Sequence, residues 1–398
     1  LSKRVLILDC GPGVARAIAK AHELGYCVVL MSEEGNAPTP GADEARFGEL
    51  WDHDAIGRVV DECRIDGILQ PFGYGSAPAA LAASKLKRRA LTQFTAVEMQ
   101  VRHAGAMVMT KRGVPIVALR LAETSVQAEE AAREFGLPVW IDANETYSQA
   151  PIIRVDQIED LSLALLQVTR KSLLKTTVVM PVVEGGTFYI DGVMMDGTFH
   201  LSGLIGADTG EPPFRFERGL VAPPGVSDRD RDDLVRITIQ ALGALECRDG
   251  CVHVEVVLAQ HGAVVTGVFG SPGALRFPAD ILLLAHGVDT LANALRFAVG
   301  EPLRTEATTN RGAALLWIPT HSGIVAEIRG IEQARRIPGV EEVVMIAEPG
   351  DVMGHIVDCD TRDRVGYVIA TGDDVEAAVA AAKHARDLCE IVTRPAYL

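Results

Sequence analysis

Cys247, Cys251, His253 and Glu255 bring thiol, imidazole and carboxylate side chains together in one short stretch of this 398-residue chain. All three groups can bind metals. Zinc sites, however, usually pair cysteines two to four positions apart with a second pair of ligands, and only His261 lies nearby as a further donor. Residues Val252 to Leu258 alternate as a strand does, which puts Cys251, His253 and Glu255 on one face. Ordinary packing is the simpler reading of the two cysteines. No cysteine has a context that marks a nucleophile, and no Gly-x-Ser-x-Gly elbow occurs.

Other candidates lie elsewhere in the chain. Gly11-Pro12-Gly13 follows a strand-like segment and invites a dinucleotide-binding reading, since such glycines let a pyrophosphate approach a helix N-terminus. The third glycine position is Arg16, so a tight strand-to-helix turn is the preferred reading. In "FRFERG" at 214–219, Arg215 and Arg218 are suited to an anionic ligand, with a plain surface loop as the alternative. "RDRDD" at 229–233 reads as the solvated start of a helix.

The elements that must position these residues are legible from periodicity. Strands Val5 to Leu8, Val28 to Met31 and Gly67 to Leu69 alternate with helices Val14 to Leu24 and Asp54 to Cys63, a pattern of a parallel sheet with crossover helices. A helix follows from Arg102 to Arg112, then a strand from about Pro115 to Leu119, helix Ser125 to Phe135 closed by Gly136, and strand Pro138 to Ile141. From Val178 the pattern turns strand-rich: Val178 to Val183, Phe188 to Met194, Thr198 to Gly206, Val252 to Leu258 and Ala263 to Val268. Turns at Asp196-Gly197 and Gln260-His261-Gly262 predict antiparallel hairpins. A helix from Asp228 to Leu245 interrupts them. The end of the chain reads as a small α/β unit with strands near Ala313 to Ile318, Val343 to Ile346 and Gly366 to Ala370 and a helix from Asp374 to Cys389.

Length implies two or three domains, and 48% hydrophobic residues suffice for packed interiors. A net charge of -15 without a Lys/Arg-rich face argues against nucleic acid. Seven scattered cysteines, an odd number, read as reduced thiols, and the opening residues run straight into a strand-like segment; the expectation is a cytoplasmic protein. No apolar run reaches the roughly eighteen residues of a membrane span.

Several longer segments carry a resemblance. They are "GVPIVALRLAETSVQAEEAAREFGLPVWID" at 113–142, "VVEGGTFYIDGVMMDGTFH" at 182–200, "HVEVVLAQHGAVVTGV" at 253–268, "FPADILLLAHGVD" at 277–289 and "GYVIATGDDVEAAVAAAKHA" at 366–385. In this order they resemble the ATP-grasp superfamily, of the ADP-forming carboxylate-amine ligase type close to biotin carboxylase and the L-amino-acid ligases. The resemblance implies an α/β protein, α+β in its central part: an N-terminal parallel-sheet domain over 1–97, a two-subdomain ATP-grasp region over 98–305 with a lid at about 115–185, and a small C-terminal α/β domain over 306–398. It also implies Mg-ATP as cofactor. A substrate carboxylate would take the γ-phosphate to give an acyl phosphate, and an amine would then displace it.

Position by position, the resemblance maps the family's ATP site onto altered residues. The lysine expected on the strand after "GLPV" falls on Asp142. That exchange removes an attraction worth up to about 4 kcal/mol at close range with an effective dielectric near 20 and substitutes a repulsion. The other lysine aligns with Arg102, which keeps the charge. The glycine-rich flap over the phosphates becomes Asn144 to Pro151, without a glycine and with Glu145 adding negative charge. The adenine hinge becomes Met180 to Gly185, with Pro181 unable to donate and Glu184 as its acidic residue, while the next acidic position is Thr187. Of the metal and substrate residues, Glu255 matches the first carboxylate, but Gly267, Phe269 and Ser271 stand where a carboxylate, an asparagine and an arginine belong. Arg276, a few residues on, could still face a substrate carboxylate, with a helix-leading surface arginine as the alternative.

The expected site residues are therefore Arg276 for catalysis, Arg102 and Glu184 for cofactor binding, and Glu255 for metal. The expected protein is an ATP-grasp homologue with an eroded Mg-ATP site, acting as a non-catalytic partner or with altered chemistry. The alternatives are an active carboxylate-amine ligase and a subunit of a hetero-oligomer. The expected partners are a second copy or another ATP-grasp protein and a small carboxylate or amino-acid ligand, with neither nucleic acid nor membrane.

Overall fold

The computed structural model describes residues 2–9, 13–69, 76–85, 87, 89–146, 148, 150–210, 213–272, 278–319, 321–354 and 364–395. The first sheet is parallel, with β1 (Arg4–Leu8), β2 (Cys27–Ser32), β3 (Glu44–Phe47) and β4 (Gly67–Ile68) in the order β3-β2-β1-β4. Helices cover both faces, which is why β1 and β2 are near-continuous apolar runs. Val5, Ile7 and Leu30 pack with helices Val14–Glu23 and Thr290–Val299, while Leu6, Leu8 and Val29 pack with helix His53–Glu62. Helix Val14–Glu23 opens on Gly13 at φ 90, and the rest of the Gly11-Pro12-Gly13 turn lies outside the described residues. Strand β3 has no counterpart in the sequence reading. It is an edge strand with alternate residues exposed, so it shows no apolar run.

The lid is a four-stranded antiparallel sheet of β5 (Arg120–Ala122), β6 (Val139–Ala143), β7 (Ile153–Val155) and β8 (Thr177–Pro181), ordered β5-β8-β6-β7. Helix Ser125–Phe135 starts at a capping box between Thr124 and Gln127 and packs on one face with helix Leu161–Lys171. Val139, Ile141 and Ala143 bury against these helices, so the alternation of β6 turns Trp140 and Asp142 to the opposite face. The strand expected at Pro115 to Leu119 is absent. That segment is instead held along the next sheet, where the Val117 N–H donates to the Val265 carbonyl and the Val265 N–H to the Pro115 carbonyl.

The largest sheet contains β9 (Gly186–Met195), β10 (Thr198–Thr209), β11 (Glu217–Ala222), β12 (Gly250–Ala259), β13 (Gly262–Phe269) and β14 (Gly312–Trp317). Past these come β15 (Gly323–Arg329), β16 (Val340–Met345), β17 (Val352–Met353), β18 (Gly366–Gly372) and β19 (Glu390–Arg394). The order is β13-β12-β9-β10-β11-β14-β18-β16, with β17-β15-β19 as a separate small sheet. Three strands of the C-terminal unit thus extend the central sheet. Asp196 at φ 53 and Gly197 at φ 81 make the tight β9–β10 hairpin turn, where left-handed backbone matches the strand twist. Helix Asp228–Ala244 covers one face by packing Leu234, Ile237 and Ala241 on Ile190, Val254 and Val256. The intervening His253, Glu255 and Val257 therefore face the lid side. No single helix among the described residues is long and apolar enough to cross a membrane.

Candidate functional site

Between the inner face of the lid and the large sheet lies a cavity of about 320 Å³. Its apolar wall includes Val117, Trp140, Met180 and Val257, and its charged residues are Arg102, Arg154, Arg215, Asp142, Glu184 and Glu255. The strand registers explain this set. Trp140 and Asp142 are alternate residues of β6, Arg154 and Met180 sit directly across from Trp140, and Glu255 and Val257 are alternate residues of β12. Of the residues expected from the sequence, Arg102, Glu184 and Glu255 open onto this one space, as does the whole hinge from Met180 to Gly185. Arg276 lies outside the described residues.

The Arg102 Nη2 atom is 3.1 Å from Asp142 Oδ2, and the two side chains are 13% and 4% exposed. Asp142 Oδ1 accepts the Ala143 N–H at 2.7 Å. Burial pushes the Asp142 carboxyl up, opposed by the Arg102 guanidinium, the Ala143 N–H and Arg215, while Glu255 adds to the rise. The repulsion expected from Asp142 is thus corrected: the carboxylate is paired with Arg102, the cation that the resemblance assigns to a phosphate.

The segment replacing the glycine flap is bound to the chain before it. The Asn144 carbonyl accepts the Arg102 N–H at 2.7 Å, Asn144 Oδ1 accepts the His103 N–H at 3.0 Å, and the Thr146 hydroxyl donates to the Met99 carbonyl at 2.9 Å. Glu145 is 2% exposed and accepts from the Ser172 hydroxyl at 3.0 Å and the Leu173 N–H at 2.6 Å. Its carboxylate braces the lid rather than charging the cavity, which corrects the second electrostatic expectation.

Beside Glu255 the β12–β13 pairing shifts register, so that Glu255 opposes Gly267, Val256 opposes Val265, and Thr266 is the extra residue. Thr266 also lines the cavity. A Cβ on Gly267 would lie 2.7 Å from Cε2 of Phe269 and 3.5 Å from Oε2 of Glu255. The Phe269 ring therefore fills the space next to Glu255. Arg102 lies 5.9 Å from the centre of that ring, and His253 meets it edge-on at 5.5 Å. His253 Nδ1 is 3.1 Å from Asp191 Oδ1 on the neighbouring strand, and Tyr189 donates to Glu217 at 2.9 Å. Burial opposes charging of His253, but Asp191, with Glu255 and Glu217 beyond it, outweighs burial and raises the imidazole pKa.

Cys247 and Cys251 bury in different cores, one under helix Asp228–Ala244 and the other against the N-terminal sheet. Burial pushes the Cys247 thiol up to about 12 and also raises Cys251. Both are packing residues and poor nucleophiles.

The "FRFERG" loop splits its two arginines. Arg218 pairs with Asp208 at 2.9 Å on the surface, whereas Arg215 lines the cavity with Nη2 3.4 Å from the Thr187 hydroxyl. The loop backbone also clasps the lid: the Arg154 N–H donates to the Pro213 carbonyl at 2.7 Å and the Arg215 N–H to the Ile152 carbonyl at 3.0 Å. Trp140 and Arg154 were not anticipated as site residues. Trp140 had a sequence signal, being two positions from Asp142 on one strand and so on the same face.

Residues 316–394 match the family described as L-amino acid ligase C-terminal domain 2. The L-amino acid ligase from Bacillus licheniformis superposes with a TM-score of 0.84 at 18% identity, covering 99% of each chain. The carboxyaminoimidazole ribonucleotide synthase from Aspergillus clavatus, solved with ATP, gives 0.76 at 14% identity over 97% of this chain and 98% of its own. The uncharacterized protein y4rH of Sinorhizobium fredii is 27% identical over 280 residues, which is 69% of this chain and 57% of that protein; the match thus spans little more than half of the relative's length. The fold is that of the ATP-grasp ligases.

Proposed function

We propose that this homologue of the ATP-grasp ligases has an eroded Mg-ATP site and acts without ligase chemistry, as a partner protein or as a binder of another small ligand in the old cleft. The observation that carries this reading is the Arg102–Asp142 pair at 3.1 Å. A cation already neutralised by a buried carboxylate has little attraction left for a phosphate, and catalysis of phosphoryl transfer consists mostly of such attraction. Mg-ATP also fits the remaining donors poorly. Glu255 is the carboxylate available to a metal at its end of the cavity, and the Phe269 ring occupies the neighbouring volume. Magnesium requires several hard oxygen ligands in near-octahedral array. Five described cysteines are free thiols, in keeping with a reducing cytoplasmic setting.

Calorimetry with ATP and magnesium tests the reading. The expected result is no magnesium-dependent heat and no thermal stabilisation, whereas a ligand at a hundred times its dissociation constant would add about 2.7 kcal/mol. Micromolar binding that disappears with EDTA would overturn it.

A second reading, an active carboxylate-amine ligase with displaced ligands, is favoured by one observation: Arg102, Glu184 and Glu255 still share a single cavity. It requires amine-dependent ADP release that is lost in Glu255→Ala. As for assembly, Leu163, Leu166, Leu173 and Leu174 are each about half exposed on and just after helix Leu161–Lys171, and they supply an apolar surface for a second copy or an intact ATP-grasp enzyme. Sedimentation and co-purification distinguish the two partners.

A further inference from the structure

Helices Gln93–Gln100 and Arg102–Lys111 are separated by Val101, whose backbone is extended. Such a break leaves carbonyls at the end of the first helix and N–H groups at the start of the second without partners inside either helix. Val101 gives the second helix no side-chain cap. Residues 144–146, which follow β6 of the lid, supply what both termini lack. Asn144 accepts the Arg102 N–H at its carbonyl and the His103 N–H at Oδ1. The Thr146 N–H donates to the Gln100 carbonyl at 2.8 Å, and its hydroxyl donates to the Met99 carbonyl at 2.9 Å. Between these contacts Glu145 and Val101 form an antiparallel bridge.

The same three residues are also bound to the lid. The Asn144 N–H donates to the Thr176 carbonyl at 3.1 Å and its side-chain amide to the Thr176 hydroxyl at 3.2 Å, while Glu145 accepts from Ser172 and Leu173. They cannot peel away and leave the lid to swing alone. On the other flank, the segment ahead of β11 enters the lid. Phe214 packs on the lid core and bridges to Ile153, while the Pro213 carbonyl and the Arg215 N–H bond the backbone of Arg154 and Ile152.

Both flanks border the cavity, through Arg102 on one side and Ile152, Arg154 and Arg215 on the other. A swing of the lid would have to separate the Arg102–Asp142 pair and strip the partners from the N–H groups of Arg102, His103, Thr146, Arg154 and Arg215 and from the Thr146 hydroxyl. Each hydrogen bond typically shifts such an equilibrium by about two- to tenfold, so together they disfavour the open form by on the order of a thousandfold or more.

We propose that residues 144–146 are a strap that caps two helices at once and, with Phe214 on the far flank, holds the lid shut. The lid is then a fixed wall of the cavity that does not swing as a unit while its sheet is folded.

Amide hydrogen exchange on the full chain, resolved to single residues, tests this. The amides of Arg102, His103, Thr146, Arg154 and Arg215 should be protected to within about tenfold of the β6–β8 ladder amides, because they are released only when the lid sheet unfolds. The proposal falls if these five exchange together more than about tenfold faster than that ladder, the signature of a lid that opens intact. Asn144→Ala removes the acceptor of the His103 N–H. In that variant exchange should quicken at His103 by about tenfold and stay unchanged at Arg154 and Arg215. A common rise on both flanks would reveal one swinging body and overturn the proposal. The unaltered chain decides the question even if the variant fails to fold.

Discussion

Arg102 on the helix Arg102–Lys111 and Asp142 on β6 form an ion pair at 3.1 Å with both side chains largely out of water. One residue comes from the segment before the lid and the other from the lid sheet, so the pair is also a tertiary fastening.

Breaking a buried pair by removing one member leaves an uncompensated charge, which typically costs about 3–5 kcal/mol. Arg102→Met should therefore destabilise the protein by about 3 kcal/mol or more. The double variant Arg102→Met with Asp142→Leu should recover most of that loss, since apolar residues of similar size often replace buried pairs at little cost. Urea denaturation of the three proteins measures both effects.

Gly267 and Phe269 compete for one volume. Gly267→Ala forces the Phe269 ring to move and should cost about 1–3 kcal/mol, the usual range for overpacking. Phe269→Ala opens a cavity and is destabilising by itself, but in that background Gly267→Ala should be far better tolerated. A double-mutant cycle should give a favourable coupling of about 1 kcal/mol, and additivity would contradict the contact.

His253 has a folded pKa above its ordinary value of 6.5 because of Asp191. The stability contributed by the charged pair is fully present below about pH 6.5 and is lost as pH rises through the raised folded value. His253→Gln should remove this part of the pH dependence. Chemical denaturation at pH 6 and at pH 9 should show a larger alkaline loss in the parent than in the variant, and equal losses would exclude the linkage.

Glu145 accepts two hydrogen bonds in the lid and lies away from the cavity. Glu145→Ala leaves the Leu173 N–H and the Ser172 hydroxyl without this acceptor and should cost about 1–3 kcal/mol. Ligand affinity at the cavity should stay within about twofold of the parent. A large affinity change with little loss of stability would return Glu145 to the site.

The sequence made the architecture legible wherever a local rule was strong. Gly136 marked the end of helix Ser125–Phe135, and Asp196-Gly197 set the β9–β10 turn. Strand β3 was hidden because an edge strand with alternate exposed residues has no apolar signature. The segment from Pro115 to Leu119 has strand-like residues, but it meets Val265 through only two backbone hydrogen bonds and the lid sheet begins after it. At the site, residue identities were readable and directions were not. Asp142 and Glu145 are both acids near the expected phosphate position, yet one faces Arg102 and the other the Ser172 hydroxyl. Which way a carboxylate points depends on partners thirty or forty residues away, and no local pattern encodes that.

Arg215 holds the two halves of the molecule at once: its backbone N–H is fixed to the lid at Ile152 while its guanidinium reaches Thr187 on the large sheet. The residue that lines the cavity is therefore also a seam between the lid and the large sheet, so its backbone and its side chain serve two different elements.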